Sequence, residues 1–559
     1  MQQLIECVPN FSEGNDMVVI GLITAEIESV EGVKLLNVDA GKATNRTVVT
    51  MVGTPAAVIE AAFKAIKKAA ELIDMRTHKG QHPRMGATDV CPLIPIANIT
   101  MEETVNFAQQ LAKRVGEQLN LPVYLYEEAQ PNKQRSNLSV IRAGEYENFS
   151  AKILQPEWKP DFGPAIFNAT AGATVIGARD FLVAYNINLN TTSTRRANAV
   201  AFDIREAGRA KIINGQPVKD ANGNAVNIAG SLKAVKAIGW FIGEYGIAQI
   251  SINLTNISIT PMHIAFDEAC KKATARGMRV TGSELVGLIP LKAMLDAGKY
   301  FLQKQQRSAG VSQAELIKIA VKSLGLDELA AFKPEERIIE FLLADKKNKR
   351  FIDLSLTNFA DETASESAAP GGGSIAAYIG ALGISLAAMV ANLSAHKKGW
   401  DDRWQEFGML AEKAQFFKEE LLKLVDEDTR AFNEIMIAIG YSKSTDAEKL
   451  FRTNAIQEAT KYAIEIPFKV MELTYESMEI IKLIATVGNP NSISDAGVGA
   501  LCARAAVMGA FMNVRINAAG CADKDFVNAF ISRGQIIEAA AIAKETDILK
   551  LVNEIINAG

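Results

Sequence analysis

The feature that most limits the fold of this chain is a change of hydrophobic period near residue 300. Before it, short apolar runs alternate with amphipathic stretches. "VKLLNVDA" and "NRTVVTMVG" read as paired strands, "TPAAVIEAAFKAIKKAAELI" as a helix and "TDVCPLIPI" as a buried strand; "MEETVNFAQQLAKRVGEQL" reads as a helix leading to the strand "PVYLYEEA". The order then repeats through "ATVIGARDFLVAYNINL", the helix "STRRANAVAFDIREAG", the strands of "AIGWFIGEYGIAQISINLTNI", the helix "MHIAFDEACKKATARG" and the strand "SELVGLIPL". Both halves bring a strand to an identical Leu-Ile-Pro, at Leu93 to Pro95 and Leu288 to Pro290, and then start a helix. After the charged joint "KKNKR" at 346–350, strand signals fade and long helical patterns take over. The expected fold is multidomain: an α/β (α+β) N-terminal part of two ferredoxin-like, β-α-β-β-α-β lobes facing a crevice, plus an all-α C-terminal helical domain. The boundaries fall at 1–181 and 182–342 for the lobes, 343–350 for a linker and 351–559 for the helical domain.

Charge and cysteine usage exclude several classes. A formal net charge of -4 and a pI near 5.9 argue against nucleic-acid or membrane-surface partners, which need a clustered positive field. Five scattered cysteines without a CxxC pair fit a reducing cytoplasm. The start, "MQQLIECVPNFSEG", lacks a basic region followed by a long apolar run, so export is not suggested. The uncharged stretch 374–393 is long enough to cross a bilayer, yet it is dominated by Ala, Gly and Ser and is read as a buried helix of a soluble domain. Ala- and Gly-rich helices also suggest self-association into a homo-oligomer.

Two of only four histidines, His78 and His82, lie in "HKGQHPRMG". Gly80, Gly86 and Pro83 disfavour a helix there, so the segment reads as a shaped loop. A loop imidazole is suited to carrying protons near neutral pH, and Arg84 beside it is a candidate for a substrate carboxylate; the alternative is that both histidines are surface residues. "DFGPAIFNATAGATVIGAR" is a Gly- and Pro-rich loop between the two α/β halves, placed either to meet a ligand in the crevice or to act as a plain linker. In the helical part, Leu421, Val425, Phe432, Ile435 and Ile439 fall on one stripe with Asp428 in its middle. Burial there would raise its carboxyl pKa into the range of proton transfer; alternatively, Asp428 hydrogen-bonds a neighbouring helix end. "APGGGSIAAYIGALG" opens a helix with glycines that either meet an anion or let helices approach, and "NPNSISDAGVGA" opens another, with Ser494 or Asp495 as the expected cap.

These residues resemble a known family. "ECVPNFSEG", "VDAGKATNRTV", "HKGQHPRMGATDVCP", "IRAGEYE", "DFGP" and "GLIPLKAMLDA" are similar to glutamate formimidoyltransferases. "SAAPGGGSIAA" through "LVDEDTRAF" to "NVRIN" is similar to formimidoyltetrahydrofolate cyclodeaminases. The resemblance implies a bifunctional folate enzyme of histidine degradation. It would transfer the formimino group from N-formimino-L-glutamate to N5 of tetrahydrofolate (polyglutamate), and then close the ring to 5,10-methenyltetrahydrofolate with loss of ammonia. It implies that His82 is the transferase catalytic residue, that Asp428 is the cyclodeaminase carboxylate, and that the folate site is lined by Gly163, Pro164, Ala165, Ile166, Phe167, Asn168, Ala169, Thr170, Ala171 and Gly172. It implies no metal and no tightly bound cofactor. Two alternatives stand beside it: a helical domain acting as a methenyltetrahydrofolate cyclohydrolase, or a folate-binding protein without catalysis.

Overall fold

The computed structural model describes residues 3–42, 44–80, 83–220, 225–343 and 350–558. The chain divides into two units, 1–293 with 324–344, and 294–323 with 345–559. The segment 294–323, which the sequence places in the second lobe, thus belongs with the helical unit.

The first unit begins with β1 (Leu4–Cys7) and β2 (Asn10–Phe11), two pieces of one strand broken at Pro9, and α1 (Met17–Glu28), whose N-terminus is capped by Asp16. β3 (Val33–Gly41), β4 (Arg46–Gly53), α2 (Pro55–Leu72) and β5 (Thr88–Ala97) follow. Next come α3 (Met101–Gln118), started by a Thr100–Glu103 capping box, β6 (Val123–Glu127) and β7 (Thr174–Ala178). The sheet runs β3, β4, the β1–β2 strand, β5, β7, β6, antiparallel except where β5, β7 and β6 pair in parallel.

A second sheet is built from β8 (Val183–Leu189), α4 (Thr194–Ile204), β9 (Val235–Ile242), β10 (Ile247–Leu254), α5 (Met262–Thr274) and β11 (Val280–Val286), in the order β9, β10, β8, β11. If the β1–β2 strand is counted as one, the strands β-α-β-β-α-β of each half occupy the same places, second, third, first, fourth. The stretch 173–189 is two strands in different sheets rather than one, because Arg179 to Leu182 breaks the run. In 209–228, the Asn-Gly insertion forms short paired strands, with Ile212–Ile213 against Gln216–Pro217 and Arg209–Ala210 against Asn227–Ile228; residues 221–224 lie outside the described ones.

Strand alternation positions the site. In the first sheet, Ile5, Cys7, Val49, Met51, Cys91 and Leu93 point to the helices and form the core. Their neighbours Glu6, Val8, Val48, Thr50, Val90 and Pro92 therefore point the other way, into a cleft of about 740 Å³. Across it stand Ala184, Lys236, Asn253 and Val286 of the second sheet.

The second unit is helical: α6 (Gly372–Ala395), α7 (Trp404–Ile439), α8 (Asp446–Val487), α9 (Ile493–Ala518) and α10 (Lys524–Ala558). The segments Gly372–Ala395 and Pro490–Ala518 are each long and apolar enough to span a membrane, and 61% and 50% of their most apolar windows are buried within the protein. Small residues make this packing possible: a β-carbon on Gly383 would stand 2.8 Å from the Gly499 carbonyl oxygen. A short 3-10 turn, Pro490–Ser492, capped by Asn489, precedes α9, so Ser494 and Asp495 lie inside the helix and cap nothing. The stripe on α7 is buried only in part. Leu421 and Val425 are in the core, but Phe432 and Ile439 are exposed, because the α7–α8 hairpin extends past the bundle; burial on α8 begins only at Ala459.

Candidate active sites

At one end of the cleft, Asp89 is the only charged residue of β5 and is wholly buried. Its carboxylate accepts the Met85 backbone N–H at 3.0 Å, Arg46 at 3.2 Å, and Arg142 through both Nε and a terminal nitrogen. Arg46 also donates to the Asn10 side-chain oxygen from Nε at 2.9 Å. Burial lowers the Arg46 pKa to about 10, against the opposing pull of Asp89. The loop that carries Arg142 is held from behind by Lys152, whose ammonium donates to the carbonyls of Val140, Ile141 and Ala143. Two arginines share one aspartate, an arginine surplus within this cluster, and Asp39 lines the same cleft.

Further along the same sheet face, Glu6 is 4% exposed, and burial raises its carboxyl to about 7 despite the nearby Arg179 charge. Buried Tyr126 lies close to Arg179 and its hydroxyl is likewise pushed up by burial.

His82 lies outside the described residues. The described residues on either side of it are hydrogen-bonded. His78 Nε2 donates to the Asn45 carbonyl at 2.9 Å, while its Nδ1 accepts from Arg84 Nε at 3.2 Å, which fixes the proton on Nε2. Arg84 was expected to be available to a substrate carboxylate. The structure instead commits it: Glu147 grips it bidentately at 2.9 and 2.6 Å, Glu145 adds 3.2 Å, and the Arg84 side chain is 8% exposed. It borders a small open hollow with Lys79 and Asn148, but its work here is to tie the His78–Gly86 loop to the 145–147 turn.

The Gly163-to-Gly172 loop is docked onto that same loop. Gly172 bridges Gly86, and Ala87 N–H donates to the Ala171 carbonyl at 2.9 Å. Gly163 and Gly172 both have positive φ, +80° and +68°, and a β-carbon on either would strike backbone, so glycine is required at both ends. Asn168 closes the turn by accepting the backbone N–H groups of Thr170 and Ala171. Phe167 packs between Tyr146 and Phe149, and Ala165, Ile166, Ala169 and Thr170 face outward.

In the helical unit, Asp428 sits against the N-terminus of α6. Ser374, fully buried, donates its hydroxyl to the Asp428 carboxylate at 3.1 Å and to the Val425 carbonyl at 2.8 Å, and its backbone N–H also reaches Asp428. A β-carbon on Gly373 would collide with that carboxylate, so the glycine run is what allows the approach. The alternative of an acid bonded to a neighbouring helix end is thus realised, yet burial outweighs these bonds and the Asp428 pKa is raised. Asn513 stands over the same helix end, beside Gly372. Neighbouring acids are used elsewhere: Asp426 accepts the Phe351 backbone N–H at 2.6 Å, and Glu427 pairs with Arg430 and Tyr462. Among the described residues no group of three or more His, Cys, Asp or Glu is placed to hold a metal ion.

Asp89, Arg46, Arg142, Glu6 and Ser374 were not singled out from the sequence. A signal existed for three of them: Glu6, Arg46 and Asp89 are lone charges in strands otherwise apolar or hydroxylic.

Comparison with known proteins covers most of the chain. Residues 4–179 match the family described as formiminotransferase domain, N-terminal subdomain; residues 184–344 match formiminotransferase domain, and 355–534 match formiminotransferase-cyclodeaminase. A formimidoyltransferase-cyclodeaminase of Rattus norvegicus is 43% identical over 527 residues, 94% of each chain. A glutamate formimidoyltransferase of Streptococcus pyogenes is 39% identical over 303 residues, 54% of this chain and 94% of its own. A methenyltetrahydrofolate cyclohydrolase of Methylorubrum extorquens is 36% identical over 190 residues, 34% of this chain and 91% of its own.

Proposed function

We propose, from the premise that this chain belongs to the formimidoyltransferase-cyclodeaminase family, a division of its two activities between the cleft of the first unit and the Asp428 site of the second. The enzyme transfers the formimino group from N-formimino-L-glutamate to tetrahydrofolate with release of glutamate, and cyclises 5-formiminotetrahydrofolate to 5,10-methenyltetrahydrofolate with release of ammonia.

For the transfer, N5 of tetrahydrofolate attacks the formimino carbon, and a tetrahedral intermediate expels glutamate. An amine leaves poorly unless protonated, so His82 takes the proton of the attacking nitrogen and assists its delivery to the leaving one. Arg84 is then a positioning residue for the His82 loop, and the arginine surplus around Asp89 faces the substrate carboxylates. The docking of the Gly163-to-Gly172 loop on the His78–Gly86 loop supports folate binding beside His82.

For ring closure, N10 adds to the same carbon and ammonia departs. Asp428 moves that proton, and the observation that carries this reading is its half-buried carboxyl, raised in pKa while held by Ser374 at a glycine-opened helix end. The two sheets, each with its strands in the order second, third, first, fourth, support two ferredoxin-like lobes divided at 181/182; because 294–323 groups with the helical unit, the sheet-bearing part of the second lobe ends near residue 293. We further read the protein as a cytoplasmic homo-oligomer without membrane or nucleic-acid partners and without a tightly bound cofactor, tetrahydrofolate being substrate. The test is to mix protein, N-formimino-L-glutamate and tetrahydrofolate and to follow glutamate, ammonia and methenyl absorbance. Equal amounts of all three are expected; glutamate release with neither ammonia nor methenyl product, together with hydrolysis of supplied 5,10-methenyltetrahydrofolate to 10-formyltetrahydrofolate, would point to cyclohydrolase chemistry in the helical domain.

A further inference from the structure

We infer that Glu6 selects the formimino donor: its carboxylate receives the amidinium of N-formimino-L-glutamate on the wall of the cleft. The inference rests on the cleft being the transferase site. Glu6 lies on a central strand, in register with Val52 on one side and Ile94 on the other, and its side chain lines the cleft. It is more than nine-tenths buried, and no hydrogen bond or ion pair of its side chain is formed with any described residue; Arg179 acts on it only through its charge. The other buried carboxylate of this sheet face, Asp89, is fully matched by arginines and a backbone N–H. A largely buried carboxylate that has no donor among the described residues and opens on the cleft is suited to a ligand that brings donors.

The formimino group is such a ligand. Amidines are strong bases, so at neutral pH the group is a cation with N–H donors on one edge, and it meets a carboxylate as a guanidinium does. A formyl group of the same shape is neutral and turns an oxygen toward the carboxylate, which repels it.

The test uses the full chain. Glu6→Gln should raise the KM for N-formimino-L-glutamate at least ten-fold. The inhibition constant of N-formyl-L-glutamate should stay within two-fold of wild type or improve. Ring closure of supplied 5-formiminotetrahydrofolate, read in the same preparation, reports an intact protein. Glu6→Asp keeps the charge and should retain the preference for the cationic donor. Parallel weakening of both ligands, or no change in either, would overturn the role of Glu6. Ala184→Trp, which fills the cleft from the opposite sheet, should abolish transfer. If it does so while Glu6→Gln is silent, the cleft reading stands and only Glu6 is wrong; if transfer survives it, the cleft reading fails and takes the proposal with it.

Discussion

Replacing Asp89 by alanine should uncouple the transferase cleft from the rest of the protein. Asp89 accepts one backbone N–H and bonds from two guanidinium groups that are themselves only 13% exposed. Removing one partner of a buried ion pair costs about 3–5 kcal/mol, because the charges left behind are neither solvated nor matched. The orphaned Met85 N–H contributes about 1–3 kcal/mol of that figure. Asp89→Asn keeps an oxygen for Met85 but not the charge, so it should recover only this smaller part. Hydrogen exchange read on peptides from the Thr88–Ala97 strand is the assay. At about 1.4 kcal/mol per decade, its slowest amides should exchange roughly a hundred- to several-thousand-fold faster in Asp89→Ala. Glutamate release should fall while ring closure of supplied 5-formiminotetrahydrofolate persists. Acceleration below ten-fold, with transfer intact, would show that the arginines need no counter-charge.

Three further expectations follow from the sites. Gly373→Ala drives a methyl into the Asp428 carboxylate, so ammonia release should drop at least a hundred-fold with glutamate release unchanged; near-normal ring closure would contradict the tight approach. Glu6 has a folded-state pKa of about 7 against an ordinary 4.5, so the folded state binds the extra proton and stability is lost as pH rises through that window. Glu6→Gln should then be more stable than wild type above pH 7, by on the order of 2–3 kcal/mol, with the advantage gone below the ordinary carboxylate range; urea titrations at both ends of the window check it. Asp428 is shifted in the same direction, so Asp428→Asn should also gain stability at neutral pH while losing ring closure, and a stability loss there would argue that its bonds to Ser374 outweigh its burial.

Much of the fold was legible because the two periods are physically distinct. Strand alternation in "NRTVVTMVG" and helical spacing in "ELLKLVDEDTRAF" each reflect a buried face, and each element formed. The Leu-Ile-Pro repeat marks the fourth strand of each half, inside β5 in the first and just past β11 in the second. What the sequence obscured depended on which neighbours cover a face. Phe432 and Ile439 continue the apolar stripe of α7, yet nothing in a one-dimensional pattern shows where the bundle ends. Arg84 looked available because Glu145 and Glu147, about sixty residues later, were not visibly its partners. Asp428 was found because an acid interrupted an apolar stripe; Asp89 and Glu6 interrupt strands in the same way and were passed over, since a single charge in a short strand also fits an exposed edge.

The most direct test of two separable reactions is to run the three-product assay on His82→Ala, on Asp428→Asn and on their mixture. Asp428→Asn should release glutamate without ammonia, His82→Ala should release ammonia only from supplied 5-formiminotetrahydrofolate, and the mixture should form all three products from N-formimino-L-glutamate. Glutamate release by His82→Ala, or ammonia release by Asp428→Asn, at wild-type rates would contradict the assignment of that half-reaction.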